Sequence, residues 1–375
     1  LKRHFPYLSS IFFFLFNNSC TDSVTPEFNF REGLIFIEGF ASTIPGNSFV
    51  AINESAIEFG VYVVNFVEDA KVSFDNVDTN ESILLNGVKG VYQAPDDFVV
   101  KPGERWKLSI LLPNGKRYES TPEMVLESVP IDNLEANYDS QLTFDVGLSR
   151  LIAGHSAKIS FTDPVEDINY YYWTYRTFEN LDYCERCVGG YFREECISFS
   201  GGVSGIPYLD YTCESDCWRI RFPQSISIFS DEFTNGKTVN DFEIGNLLLY
   251  NTEDMVLEVQ QISLTPAAYE YYKVLKDLID NNSGLNAPPP AALVGNLFNP
   301  VDSEDIVFGR FTPAAASTTS LFIDRSDITD DTLENFGIRI FEQFEDVVPG
   351  PPKTTTSCEE SKFRTAIIPP GWIDN

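Results

Sequence analysis

The sequence predicts a mainly β protein carrying a single helix. Three observations predict it. Short apolar runs rich in β-branched and aromatic residues recur along the chain, with Gly, Pro, Asn and Asp between them. In "RWKLSILLPNGKRYES" the apolar Trp106, Leu108 and Ile110 alternate with Lys107 and Ser109, a period of two. One segment alone changes period: Ala268, Tyr272, Leu275 and Ile279 fall on one helical stripe. With 31 Phe and 17 Tyr the chain is too aromatic to stay disordered, so the formal net charge of −30 belongs on the outside of a folded protein.

The elements follow in order. Lys2, Arg3 and His4 precede "FPYLSSIFFFLF", a run of about a dozen residues where a spanning helix needs roughly 20. Residues 1–19 therefore read as a signal peptide. Ser19-Cys20 at its end reads as a lipidation site, with plain cleavage or an uncleaved membrane anchor as alternatives. Residues 20–30 form a polar tether. Strands then run through "GLIFIEGF", "AIEFGVYVVNFVEDAKVSF" and "KGVYQA" to the hairpin around Asn114-Gly115, two residues that tolerate positive φ. Strands at this spacing predict an immunoglobulin-like β-sandwich over 31–132, with "VPIDNLE" as its exit.

Residues 133–375 read as a second, larger β-rich domain. In "INYYYWTYRTF" Tyr170 and Tyr172 face one way, Tyr171 and Trp173 the other. A second turn is expected at Asn235-Gly236, and further strands at "NLLLYN" and "MVLEVQQISL". Thr265 caps the helix, Pro266 suits its first turn, and Asn282-Ser283-Gly284 ends it. "APPPAA" is a stiff connector before strands resume in "DIVFGRFTPAAASTTSLFID".

The second domain carries a cysteine-rich insert over 184–217. Cys184, Cys187, Cys196, Cys213, Cys217 and Cys358 make an even set, which an oxidising compartment joins as disulfides. The alternative, thiolates on zinc, usually recruits histidine, and only His155 follows the leader. Five cysteines lie in one segment, so at least one bridge should tie Cys358 back to it; the pairing itself stays open.

The acidic balance argues against nucleic acid and anionic headgroups as partners. With His155 as the one available base, a Ser-His-Asp triad has little to build on, and no HExxH, GxGxxG or P-loop pattern occurs. The expectation is a non-enzymatic protein without a cofactor. Asp324, Asp327, Asp330 and Asp331 are calcium candidates, weighed against a solvated acidic loop, because their spacing lacks the alternation and glycine of a known calcium loop. Tyr171 and Trp173 are ligand-stacking candidates, weighed against service in the core.

Several segments, taken in order, resemble the DUF4249 family of Bacteroidota outer-membrane lipoproteins. They are the leader with Cys20, "IEG" (37–39), "KPGERWKLSILLPNGKRYESTPEMV", "DPVEDINYYYW" (163–173), "FSDEFTNGK" (229–237), "ISLTPAAYEYYKVL", "LVGNLFNPVDSEDIVFGRF" and a terminal cysteine before "PPGWID". The resemblance implies a surface-facing lipoprotein anchored in the outer membrane through its lipid, with a TonB-dependent β-barrel receptor as partner. It carries no catalytic residue with it. The alternative functions are an extracellular hydrolase working through two carboxylates, and a surface adhesin or scaffold module.

Overall fold

The structure, a computed structural model, describes residues 32–373 except 60, 89, 166, 189–190, 193–194, 197–207, 281–292 and 334–354. It gives backbone alone at 62, 186–188, 191–192, 195–196 and 208–210. The leader, Cys20, the tether, Asn282-Ser283-Gly284, "APPPAA" and the side chains of Cys187 and Cys196 lie outside the described residues.

The chain is mainly β with one described helix, Pro266–Asp280. In the front half two six-stranded sheets face each other. One runs Val307–Ala314, Ile35–Ser42, Phe49–Glu58, Val91–Gln93 and Asn86–Val88, with Val61–Phe66 also on Phe49–Glu58. The other runs Leu297–Phe298, Arg117–Ser120, Arg105–Leu111, Lys71–Asn76 and Ser82–Leu84, with Glu123–Met124 on Arg105–Leu111. Alternation puts Trp106, Leu108 and Ile110 inside, where they meet Ile37, Val50, Ile52 and Phe74. The expected turn is present: Gly115 has φ 87° and Asn114 Oδ1 accepts the Lys116 amide at 3.0 Å.

The first strand pairs in parallel with a late one, from Ile35 opposite Val307 to Ser42 opposite Ala314. Glycine makes that approach feasible: a Cβ on Gly309 (φ +111°) would sit 1.9 Å from the Ile37 carbonyl oxygen. Residues 297–298 and 307–314 thus complete the front sheets, and after Ala315 the chain enters the back half as Ala316–Ile323.

There a three-stranded sheet (Asn133–Asp145, Arg150–Thr162, Thr238–Leu248) covers a six-stranded one. The larger sheet runs Ala316–Ile323, Met255–Leu264, Tyr170–Asn180, Trp218–Arg221 and Arg364–Thr365, with Ser227–Ser230 also on Tyr170–Asn180. Phe161, Tyr171, Trp173, Leu257 and Val259 fill the space between the sheets. On the opposite face Tyr170 and Tyr172 meet Tyr269 and Tyr272 of the helix, at ring separations of 4.7 and 4.8 Å. Thr265 caps that helix, accepting the Ala268 amide at 3.3 Å. Thr265 also donates to Glu123, which pairs with buried Arg310, so the cap is locked to the front half.

Among the described residues two disulfides are formed, Cys184–Cys213 and Cys217–Cys358. The second is a tie from the 184–217 segment to Cys358, as the cysteine distribution predicts. No helix among the described residues is long and apolar enough to cross a membrane.

Candidate functional site

A cleft opens where one strand edge lacks a partner. Trp218–Arg221 pairs with Tyr170–Asn180 from Asn180 to Thr177, and Ser227–Ser230 pairs with it from Trp173 to Tyr170. Residues 222–226 must therefore pass residues 174–176, five opposite three, and they bow away from the edge. Pro223 lies in the bow and has no amide hydrogen to give the ladder. The opening has a volume of about 950 Å³.

Tyr175 forms part of the floor, buried against Gly245 of the covering sheet. A Cβ at Gly245 would meet the Tyr175 ring carbon Cε1 at 2.9 Å, so glycine lets the two sheets close there. Burial pushes the Tyr175 phenol up to about 12, which keeps it neutral.

Charge lines the wall. In Trp218–Arg221 the side chains of Trp218 and Ile220 turn inward, leaving Arg219 and Arg221 on the cleft face. Register places Glu179 opposite Arg219, and Arg219 opposite Arg364, across three neighbouring strands. Glu179, 1% exposed, bridges two guanidiniums: Arg221 Nε donates at 2.8 Å and Arg325 Nη1 at 3.3 Å. Arg221 also stacks over the Tyr250 ring at 3.8 Å. Arg325 is 1% exposed and its Nε has no partner. Burial draws its ionisation below the ordinary guanidinium value, against the pull of Glu179.

The far wall is the C-terminal segment. Glu359, Ser361, Phe363 and Arg364 line the cleft directly after Cys358, whose bond to Cys217 fixes them beside Trp218–Arg221. Arg364 Nη1 donates to the Cys184 carbonyl at 2.7 Å, so both disulfides brace this wall. Cys184, Cys213 and Cys217 hold the one gathered group of three or more metal-type ligand atoms among the described residues, and all three sulfurs are in disulfide bonds.

A second cleft, of about 640 Å³, lies between the Asn133–Asp145 and Ala316–Ile323 strands. Asp324, Asp327 and Asp330 line it, whereas Asp331 does not. Asp324 caps its own loop by accepting the Ser326 amide at 2.9 Å, and Asp330 accepts from Tyr138. His155 lies behind Tyr138, 2% exposed, with Nδ1 unpartnered; burial lowers its pKa to about 4. No carboxylate holds that nitrogen in the manner of a triad.

Tyr171 and Trp173 are in neither cleft. They are 0% and 1% exposed in the core between the sheets. Tyr171 donates to Asp163, Gly236 donates its amide to Asp163 at 2.9 Å, and the Asn169 amide reaches Asp231 at 2.8 Å. Asp163 and Asp231 are both buried, and burial together with the bond to Asp163 raises the Asp231 carboxyl. This clasp joins "DPVEDINYYYW" to "FSDEFTNGK". It places this close carboxyl pair inside the framework, away from both clefts.

Sequence reasoning missed Arg219, Arg221, Glu179 and Arg325. The one available signal was "WRIRF", whose alternation puts two arginines on one strand face. No curated protein sequence matches the chain. The model of the family described as "Domain of unknown function (DUF4249)" matches residues 21–320. The chain belongs to the DUF4249 family.

Proposed function

We propose that this chain is a non-enzymatic, exported lipoprotein that holds a small ligand in the cleft over Tyr175, anchored through Cys20 to the outer membrane and acting beside a TonB-dependent β-barrel receptor. The observation that carries the reading is the gap at residues 174–176, which opens a cavity of about 950 Å³ on an otherwise paired strand edge. That volume lies at the upper end of the usual range for ligand pockets. Disulfides bracing its wall suit an oxidising compartment. The buried carboxylate in the cleft, Glu179, is engaged by two arginines and so is poorly placed to move protons.

The test is a cross-linked pull-down of the tagged, lipidated protein from outer membranes. Recovery of a β-barrel receptor supports the partnership; its absence from repeated pull-downs removes it. A scaffold role has its own support in two apolar hairpin tips, with Phe59 and Val61 on one and Phe144, Val146 and Leu148 on the other, all exposed. Under that reading, cell or matrix binding survives an Arg219→Gln substitution in the cleft.

A further inference from the structure

Phe59 serves the fold poorly. It stands at the tip of the hairpin formed by Phe49–Glu58 and Val61–Phe66, where Glu58 lies opposite Val61. Its side chain is fully exposed and its φ is +51°. Glycine, asparagine and aspartate take that conformation easily, whereas a bulky residue is held there against its backbone preference. Tight hairpin turns ordinarily carry those small residues. The fold gains nothing from phenylalanine at this position, and a ring left wholly in water contributes no burial. Such an outlier points to a role outside the fold.

The neighbouring residues extend the pattern. Pairing sets Ile57 and Val64 on one face of the ribbon and Val61 on the other, and all three are exposed. Glu58, beside the tip, has its carboxylate drawn back along the ribbon. It accepts from Asn65 Nδ2 at 2.6 Å, and Asn65 stands opposite Glu54. A protein partner would cover one face of such a ribbon, and a specific protein interface takes about 20–30 residues from each side. An end that is a few residues wide and apolar on both faces suits a medium that surrounds it.

The chain enters the fold beside this hairpin. Glu32, the first described residue, accepts the Ile57 amide at 3.0 Å through Oε1, and Gly33 donates its amide to the Ser55 carbonyl at 2.8 Å. Phe59 comes two residues after Ile57, roughly 7 Å along. Cys20 precedes Glu32 by twelve residues, a reach of at most about 40 Å. With Cys20 held by lipid, this end of the protein is the end kept near the bilayer.

We propose that the Phe59 tip dips into the bilayer that holds Cys20, seating Phe59, Val61 and Ile57 at the boundary between headgroups and acyl chains. This rests on the lipoprotein reading above and adds a second membrane contact to it. The surface it fits is zwitterionic. The chain's net charge of −30 repels anionic headgroups, so attraction comes from apolar burial. Two points of contact also fix which side of the protein faces the membrane.

The test uses the full lipidated chain on phosphatidylcholine vesicles whose acyl chains carry bromine, a contact quencher of tryptophan. Phe59→Trp puts a reporter at the tip, and Phe233→Trp, exposed in the back half, is the control. The unsubstituted chain gives the background of its four tryptophans. Phe59→Trp should show bluer emission and added quenching, and Phe233→Trp neither. The quenching should weaken when phosphatidylglycerol is added at low salt and return as salt rises. Phe59→Asn, which relieves the backbone, should raise the urea midpoint while making the lipidated chain about tenfold easier to strip from vesicles. A lowered midpoint would mark the ring as a packing residue and overturn the proposal. Unquenched Phe59→Trp on a chain held through Cys20, or equal quenching of Phe233→Trp, overturns the tip contact and leaves the lipoprotein reading standing. A chain that joins vesicles no better than its Cys20→Ser form removes the lipid anchor and the tip contact with it.

Discussion

Breaking Cys217–Cys358 should release one wall of the cleft before it unfolds the protein. The bond closes 141 residues, and the chain-entropy account gives such a loop about 5 kcal/mol of stabilisation at 25 °C. The segment's other ties are short: Thr355–Thr356 pairs in parallel with Tyr208–Cys213, the Ile220 amide reaches the Phe363 carbonyl, and Arg364 bonds to the Cys184 carbonyl. Its strand, Arg364–Thr365, pairs over two residues with Trp218–Arg221, and Trp372 packs on Trp218 and Phe322 at 5.7 and 5.5 Å. Phe363, Ile367 and Ile368 are exposed and contribute little burial. A Cys217→Ser/Cys358→Ser protein should therefore lose up to about 5 kcal/mol in guanidinium denaturation. In hydrogen exchange, protection should fall first at residues 355–373, while Arg105–Leu111 in the front half keeps its own. An unchanged midpoint, or loss of protection spread evenly through both halves, would refute the idea that this bond is what positions the wall.

Glu179→Gln leaves Arg325 buried against a neutral partner and should cost about 3–5 kcal/mol; adding Arg325→Met should recover much of it, as followed by urea midpoints. The depressed His155 is neutral when folded, so its contribution is complete above pH 6.5 and is lost as pH falls towards 4, about 3 kcal/mol in all. His155→Phe should flatten that part of the stability profile, and a profile of unchanged slope between pH 7 and 4 would count against it. Asp231 has the opposite sign: its raised carboxyl makes the folded state hold a proton, so stability declines as pH rises from 3.8 through the raised value. Asp231→Asn should remove that decline, which the same denaturation series measures. Gly245→Ala places a Cβ 2.9 Å from the Tyr175 ring and should cost about 1–3 kcal/mol in the same denaturation series; a variant as stable as the native chain would mean that the two sheets do not close at this contact.

Local chemistry made much of the fold legible. The Asn114-Gly115 turn, the Thr265 cap and the split faces of Tyr170 to Trp173 each follow from patterns spanning a few residues, and each is present. The parallel union of Ile35–Ser42 with Val307–Ala314 was not legible, because "IFIEGF" and "IVFGRF" read as strands without naming each other. Gly309 was the one clue, a residue whose missing Cβ permits the Ile37 carbonyl to approach. The cleft was hidden for the same reason. It arises from a mismatch of five residues against three on two segments that meet only after folding, and its C-terminal wall arrives from Cys358 onward. Aromatic density drew attention to Tyr171 and Trp173, yet rings of that size on a strand between two sheets are what a core is built from.

The most direct test of a ligand-holding cleft walled by the stapled C-terminal segment is a hydrogen-exchange footprint of a bound aromatic probe, naphthalene sulfonate, taken on the oxidised protein and on the Cys217→Ser/Cys358→Ser variant. The account predicts added protection at residues 174–180, 218–228 and 359–364 in the oxidised protein, and its loss in the variant. Protection confined to other surfaces, or a footprint indifferent to the disulfide, would contradict it.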